Sequence, residues 1–519
     1  MEADGTRMEN SIRNLSLTGG NLAIEDVHQV ARNRRAVEPL DDEICHAMEA
    51  SQGWVEEAVR AGDVIYGVTT GFGPLATTSI APDEARQLSR NLVLNCLAGV
   101  GDPLPEDVVR AMMLVRANSL AKGLSGVRPV VVGTLIEMLN RGVVPFVPEK
   151  GSLGASGDLA PLAHIAVVLS RDLDGEGYSG EAWYRSERMS GSAAMEAAGI
   201  PRIVLEAKEG LALTNGTTFM AVAGALGVYD ARRLLEQAEL AAAVSFEALL
   251  AITAALDPDL QNANGQPGQA RTAERLLEHL GGSGLVDSAP GKVQDAYSLR
   301  CTPQVLGPVH DALDFIEARF AACINAASDN PLIFLDPDGG RAVSGGNFHG
   351  GGPAMWLDFL GIAVAEVGSI SERRTFRMLD PALNGGLPSM LVTRSGLDSG
   401  LMIPQYTAAA LVSDNKTLAH PDSVDSIPSS ANQEDHVSMG ANAARHALEI
   451  LSNVRKIIAI ELITAAQAVD LRPDGPARLG KGTREAYRKV RSLVAFLEHD
   501  RATSPDIEAV ERMLENGEL

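Results

Sequence analysis

A chain of 519 residues is long enough to bury a large core, so scarcity of core does not constrain it. Its 67 acidic residues against 44 basic ones leave a net charge of −23, a surface that repels phosphate backbones, and without a local basic stripe nucleic acid is excluded as a partner. Four cysteines, Cys45, Cys96, Cys301 and Cys323, stand far apart without a C-x-x-C pair, behind an N-terminus with no apolar signal region. That pattern points to a reducing, cytoplasmic setting, and because polar residues interrupt the apolar stretches early, no membrane span or membrane partner is expected.

Residues 1–13 are polar and aperiodic and read as a loose tail. Residues 14–210 form an N-terminal region that carries glycine-rich loops, and 211–519 a helical remainder. From Pro82 onward, DEARQLSRNLVLNCLAGV and PEDVVRAMMLVRANSLAKGLSGVRPVVVGTLIEML place apolar residues at three- and four-residue spacing, opened by Pro and acidic residues and closed by Gly, which predicts helices. Residues 218–254 are rich in Ala and Leu on nearly every face, predicting a long helix buried all round. Further helices are expected at 304–326, 352–376 and 441–468, while alternating β-branched runs are almost absent. The fold class is therefore mainly α, with long helices in a central bundle, and the excess apolar surface points to burial between subunits.

Glycine is abundant, 51 of 519 residues, and is locally dense in three loops: YGVTTGFGP at 66–74, GSLGASGD at 151–158 and SGGNFHGGGP at 344–353. The second is the most informative. A serine nucleophile elbow requires G-x-S-x-G, but Asp158 stands where the last Gly should be, and a phosphate loop requires a Lys that is missing. Ala155-Ser156-Gly157 supports a third chemistry. The unhindered nitrogen of Gly157 can attack the carbonyl of Ala155 if the loop is bent tightly, and loss of two waters leaves a methylidene-bearing ring, an electrophile made from the chain itself. Asp158 is placed to cap a following helix, with Pro161 in its first turn, and the positive end of that helix would favour electron density arriving at the ring.

GSLGASGDLAPLAHIA resembles the prosthetic-group signature of the histidine/phenylalanine/tyrosine ammonia-lyase family. YGVTTGFG, TNGTT, QDAYSLRCTPQVLG, GGNFHG and NQEDHVSM are similar to other segments of that family, in the same order from about Leu15 to Leu471. The resemblance implies a 4-methylidene-imidazol-5-one (MIO) formed from Ala155, Ser156 and Gly157 with no external cofactor, a mostly helical fold, and a homotetramer whose active sites draw on neighbouring subunits. It also implies a lid loop beside the prosthetic-group loop in the region 14–210, and anti elimination of ammonia from an α-amino acid. Tyr66 resembles the base that removes the β-proton; since free tyrosine titrates near ~10, such a base needs positive charge or hydrogen bonds beside it. Arg300 resembles the arginine that holds the substrate carboxylate, a task suited to a planar, permanently charged donor. Tyr297 resembles a second catalytic tyrosine and Asn215 the amide that bonds the ring or the substrate, while Gln294 and Phe348 complete the pocket.

Glu434 bears on the choice of amino acid. Locally, Ser430 and Gln433 have the spacing of a capping box, with Glu434 and Asp435 in the positive first turn of a helix. The NQED text resembles family members that act on histidine, whereas those acting on phenylalanine or tyrosine carry an amide at this place. A carboxylate suits an imidazole and is a costly neighbour for a benzene ring. Asn95-Cys96 matches neither pattern, and Asn95 could donate to an imidazole or a phenol. The expectation is L-histidine converted to trans-urocanate, the alternative a phenylalanine/tyrosine ammonia-lyase or a 2,3-aminomutase. His349 and His436 lack an H-E-x-x-H partner and the cysteines lack zinc spacing, so no metal is expected; both histidines read as pocket-wall or helix-end residues.

Overall fold

The computed structural model describes residues 13–337 and 339–519. The expected tail lies outside them, apart from Arg13. The chain divides into two compact units, each made of discontinuous segments. The first comprises the chain through Leu226 with Arg319–Ala354 and Asp422–Asn442; the second comprises Gly227–Ala318, Met355–Pro421 and Ala443–Leu519.

Helices dominate, and the local signals that start and stop them are conventional. Asp42–Ala61 is capped by Asp41, whose side chain accepts from Ile44 N, and ends at Gly62 in the left-handed conformation. Pro129–Arg141 begins with Pro at its first position, where the missing N–H is harmless, and ends at left-handed Gly142. The predicted helices after Pro82 are found as Ala85–Asn95, Glu106–Leu120 and Pro129–Arg141. The later ones are Thr218–Ala248, Thr302–Cys323, Gly351–Leu379 and Gly440–Asp470. The helix from Thr218 stops six residues short of its expected end at Ala254, because Leu250 turns to φ 51°.

In the first unit, Glu106–Leu120 is buried on every face from Val108 onward. Arg110 within it is satisfied by three carbonyls, those of Ala31, Leu139 and Val30, at 3.0, 3.1 and 2.9 Å. The strands are short. Val100–Pro103 pairs antiparallel with Pro148–Lys150, Ser170–Arg171 pairs parallel with Ile203–Val204, and Leu332–Asp336 forms a hairpin with Gly339–Val343. A three-stranded sheet has the order Val144–Pro145, Glu181–Tyr184, Glu187–Ser190.

The second unit is knit by buried carboxylates. Glu461 accepts from Ser245 Oγ at 2.7 Å, from Ser371 Oγ at 2.6 Å and from both Nε and Nη2 of Arg374, joining three of the long helices. Glu239 does the same for Thr272, Arg275 and His310, at 2.8, 2.6 and 2.8 Å. Buried charges are tolerated where each oxygen finds donors of this kind. Against the expectation that no apolar stretch would be long enough, Gly351–Leu379 reaches membrane-span length and composition; 56% of its most apolar window is buried inside the protein.

Candidate active site

The Ala155-Ser156-Gly157 segment is a bent loop with left-handed glycines at both ends, Gly154 at φ 69° and Gly157 at φ 72°. Gly157 bridges Gly216, and a Cβ there would stand 2.2 Å from Gly216 O, so only glycine fits. Asp158 N donates to Gly216 O at 2.8 Å. Asn215, with its amide turned so that both ends find partners, donates to Ser156 O at 2.7 Å and accepts from Asn330 N at 3.1 Å. Arg116 holds Asn215 in turn: its buried guanidinium donates to the carbonyls of Ala212 and Asn215, the end of the short helix Glu209–Thr214.

Asp158 departs from the capping role expected of it. It precedes the helix Leu159–Leu169 but makes no side-chain cap there. Its carboxylate instead accepts from Phe219 N and Met220 N at 2.8 and 3.2 Å, in the first turn of Thr218–Ala248. The orphan amides it satisfies belong to a helix some sixty residues away. Complete burial pushes its carboxyl up to about 7, against the pull of those amides, of Ser152 and of Arg116.

Glu434 is the side chain that meets the loop. Its Oε1 accepts from Ser156 Oγ at 2.9 Å, and its Oε2 from Ser429 Oγ at 2.6 Å. The capping-box expectation fails here. Residues 430–432 take left-handed angles of 50°, 52° and 68°, Ser429 and Glu434 pair across the turn, and the long helix starts only at Gly440. Cys96 follows the last residue of Ala85–Asn95 and is half-buried; burial, and then the nearby negative charge of Glu434, pushes its thiol up to about 11. Asn95 is exposed, so of that pair it is Cys96 that shares surroundings with Glu434.

Tyr66 opens a turn closed by Gly71 N to Thr78 O at 3.0 Å and by a bridge between Thr70 and Ser79. Its hydroxyl oxygen accepts from Gly73 N at 3.1 Å, and its ring meets Phe72 edge-on at 6.4 Å. Gly73 lies against Ser430, where an added Cβ would be 3.7 Å from Ser430 Cβ, so the Tyr66 and Glu434 loops are neighbours. Phe348 is half-buried in the third glycine loop. Beside it, His349 stacks on His436 at 5.6 Å and its Nε2 lies 3.1 Å from His436 O, tying that loop to the segment after Glu434.

Gln294, Tyr297 and Arg300 form a group of their own on the second unit. Gln294 is exposed, and Tyr297 is 70% exposed at the start of the single-turn helix Tyr297–Arg300. The Arg300 guanidinium lies 4.7 Å from the Tyr297 ring centroid, and its Nε is buried without a hydrogen-bond partner among the described residues. A buried donor without an acceptor is costly in a finished site.

Residues that sequence reasoning missed are Ser429, which fixes Glu434, Ser438, which donates to Gly154 O at 2.9 Å, and the fully buried pair of Lys208 with Asp329. Ser438 stands in the NQEDHVSM text and could have been found there. The Lys208 pair joins residues 121 positions apart and left no local signal. Among the described residues no group of three or more His, Cys, Asp or Glu could hold a metal ion.

The family model for aromatic amino acid lyases matches residues 22–492. A histidine ammonia-lyase of Caldanaerobacter subterraneus subsp. tengcongensis is 50% identical over 98% of both chains. Among solved structures, a histidine ammonia-lyase from Trypanosoma cruzi superposes with a TM-score of 0.87 at 38% identity, covering 98% of this chain and 94% of that one. A tyrosine aminomutase from Streptomyces globisporus superposes with a TM-score of 0.90 at 36% identity, covering 98% and 97%. With the match running through the loops of Tyr66, Ser156, Arg300 and Glu434, this chain belongs to the aromatic amino acid lyase family.

Proposed function

We propose that the protein is a histidine ammonia-lyase, a carbon–nitrogen lyase that releases ammonia from L-histidine and leaves trans-urocanate. The observation that carries this reading is the Glu434 carboxylate, held 2.9 Å from the Ser156 hydroxyl by its second bond to Ser429. A fixed carboxylate beside the reacting centre matches an imidazole, which offers an N–H or a positive charge, and it penalises an apolar ring. The family relatives named for the same reaction support it.

The residues fit the MIO group. Position 157 admits only glycine, whose nitrogen is then unhindered, and Asn215 and Gly216 hold the bend. Once formed, the group supplies an electron-poor centre that draws density from the substrate amine. The chain's own side chains do the rest in this reading. Arg300, contributed by a neighbouring subunit, grips the substrate carboxylate with Tyr297 and Gln294 beside it, which supports a role for its unpartnered Nε. Glu434 orients the imidazole against Cys96 and Phe348, and Asn215 keeps its amide at the loop. Tyr66 Oη accepts the β-proton while the C–N bond breaks; ammonia leaves, the Cα–Cβ double bond forms, and no oxidant is consumed.

The same reading includes a homotetramer with a central bundle of long helices. Exposed Met355, Phe359 and Ile362 along one face of Gly351–Leu379, with exposed Ile403 and Tyr406 on the helix Met402–Leu418, support burial between copies. The four unpaired cysteines support a reducing cytoplasm.

A second reading, an aromatic lyase or 2,3-aminomutase, is favoured by the neutral thiol of Cys96 and by the likeness to a tyrosine aminomutase. Ultraviolet spectra of the products from histidine, phenylalanine and tyrosine separate the two. Urocanate from histidine alone is expected. A cinnamate-type acid or β-amino acid, with histidine untouched, would overturn the histidine assignment.

A further inference from the structure

Three glycines, two from loops and one opening the helix Gly440–Asp470, converge on one hydroxyl and one thioether. A Cβ on Gly154 would stand 2.3 Å from Ser438 Oγ, one on Gly350 would stand 2.6 Å from both Ser438 Oγ and Met220 Sδ, and one on Gly440 would stand 2.3 Å from Met220 Sδ. The Ala155 loop, the GGNFHG loop and the start of Gly440–Asp470 thus meet with no room for a methyl group. Ser438 at their centre is buried. Its Oγ donates to Gly154 O at 2.9 Å and accepts from Gly440 N at 3.2 Å. The opposite end of the tripeptide is held separately, by Asp158 N on Gly216 O at 2.8 Å and by Asn215 on Ser156 O at 2.7 Å.

We propose that Ser438 is a positioning residue for closure of the Ala155-Ser156-Gly157 ring, an inference that rests on the ring-forming reading above. Closure joins Gly157 N to the carbonyl carbon of Ala155. The Ala155 oxygen leaves as water with the protons of the Gly157 and Ser156 amides; Ser156 Oγ leaves as a second water with its own proton and the proton of Ser156 Cα. No oxidant is needed. The difficult part is the bend, since a free tripeptide spends little time with those two atoms in contact, and holding both flanks raises their effective concentration. Ser438 is the only side chain found donating to the peptide group ahead of Ala155 among the described residues. Its proton is committed to that carbonyl, so it acts by geometry rather than by acid–base transfer.

The test is intact-mass spectrometry of the full-length chain through a time course after induction of expression. Wild type is expected to run short by two waters from the first sample. Ser438→Ala is expected to show a population at the coded mass that disappears about tenfold more slowly, the worth of one hydrogen bond. Met220→Leu, nearly equal in volume and leaving the hydroxyl in place, is expected to match wild type within about twofold. Ser438→Cys, which keeps a weaker donor, is expected to lie between wild type and the alanine variant, and decides the matter by itself if the alanine variant does not fold. Closure in Ser438→Ala or Ser438→Cys as fast as in wild type would overturn the proposal, as would an equal delay in Met220→Leu, which would make packing rather than the hydroxyl responsible. Wild type remaining at the coded mass would instead sink the ring-forming reading itself.

Discussion

Glu434 accepts from Ser429 Oγ on one oxygen and from Ser156 Oγ on the other; on the proposed chemistry the Ser156 hydroxyl leaves as water, so Ser429 alone holds the carboxylate and the freed oxygen is left for the substrate. Removing its charge while keeping its shape should therefore act on the imidazole substrate alone. Glu434→Gln is expected to lower kcat/KM for histidine by at least about a hundredfold and to leave any residual turnover of phenylalanine nearly unchanged, because a site built for a polar group loses most when that match is broken. Equal losses on both substrates would remove Glu434 from the specificity argument. Cys96 works differently. With its thiol pushed up to about 11 from 9.0, the thiolate fraction at pH 8 falls about a hundredfold, and nucleophilicity follows the thiolate. Peptide mapping after brief iodoacetamide treatment of the folded enzyme should find Cys96 labelled about a hundredfold more slowly than in the denatured chain; equal labelling would contradict the buried, negatively charged setting.

Helix by helix, the periodicity and end signals of the sequence were good guides, because a helix is specified by residues close together in the chain. Gly351–Leu379 lies within three residues of where its apolar pattern put it, and Thr218–Ala248 starts where expected but ends six residues early. What the sequence could not display was which helix an end group serves. Asp158 precedes one helix and satisfies the first turn of another, and Glu434 sits in a left-handed turn rather than the first turn of a helix. Both outcomes depend on segments far away in sequence. The Asp158 link makes a prediction for stability. Its folded pKa of about 7 lies above the unfolded value near 3.8, so the folded state holds the proton more tightly. The resulting stabilisation is complete below about pH 4 and is lost as the pH rises through about 7, a change on the order of a few kcal/mol. Asp158→Asn keeps an acceptor for Phe219 N and Met220 N but cannot titrate, so urea unfolding of that variant should have a flatter pH dependence over this interval. The same slope in both proteins would place the titration in another group.

At the scale of the whole molecule, Arg300 and Tyr297 are presented on the second unit with a donor that finds no partner among the described residues and an exposed ring. If neighbouring copies complete the site, inactive variants should rescue one another. Tyr66→Phe and Arg300→Ala, each nearly inactive alone, are expected to regain measurable histidine turnover when co-expressed, because some hybrid sites then receive both intact residues. Sedimentation should find tetramers throughout, and a fully active monomer would refute the arrangement. The sequence points to an oligomer through surplus apolar surface and the family resemblance, and Met355, Phe359 and Ile362, spaced along a helix like core residues yet exposed, support that proposal.

The loop that holds Ser156 touches residues from 215 to 438, so its bend exists only after distant parts of the chain have come together. On the proposed chemistry, the missing waters are then a covalent record that a given molecule has folded at least once. That record outlasts the fold. A mature chain unfolded in urea would keep its ring and refold with the bend already made, whereas a newly made chain must first find it. The two should differ in refolding rate though encoded by one sequence, and mass alone would sort a mixed sample into molecules that have been native and molecules that never were.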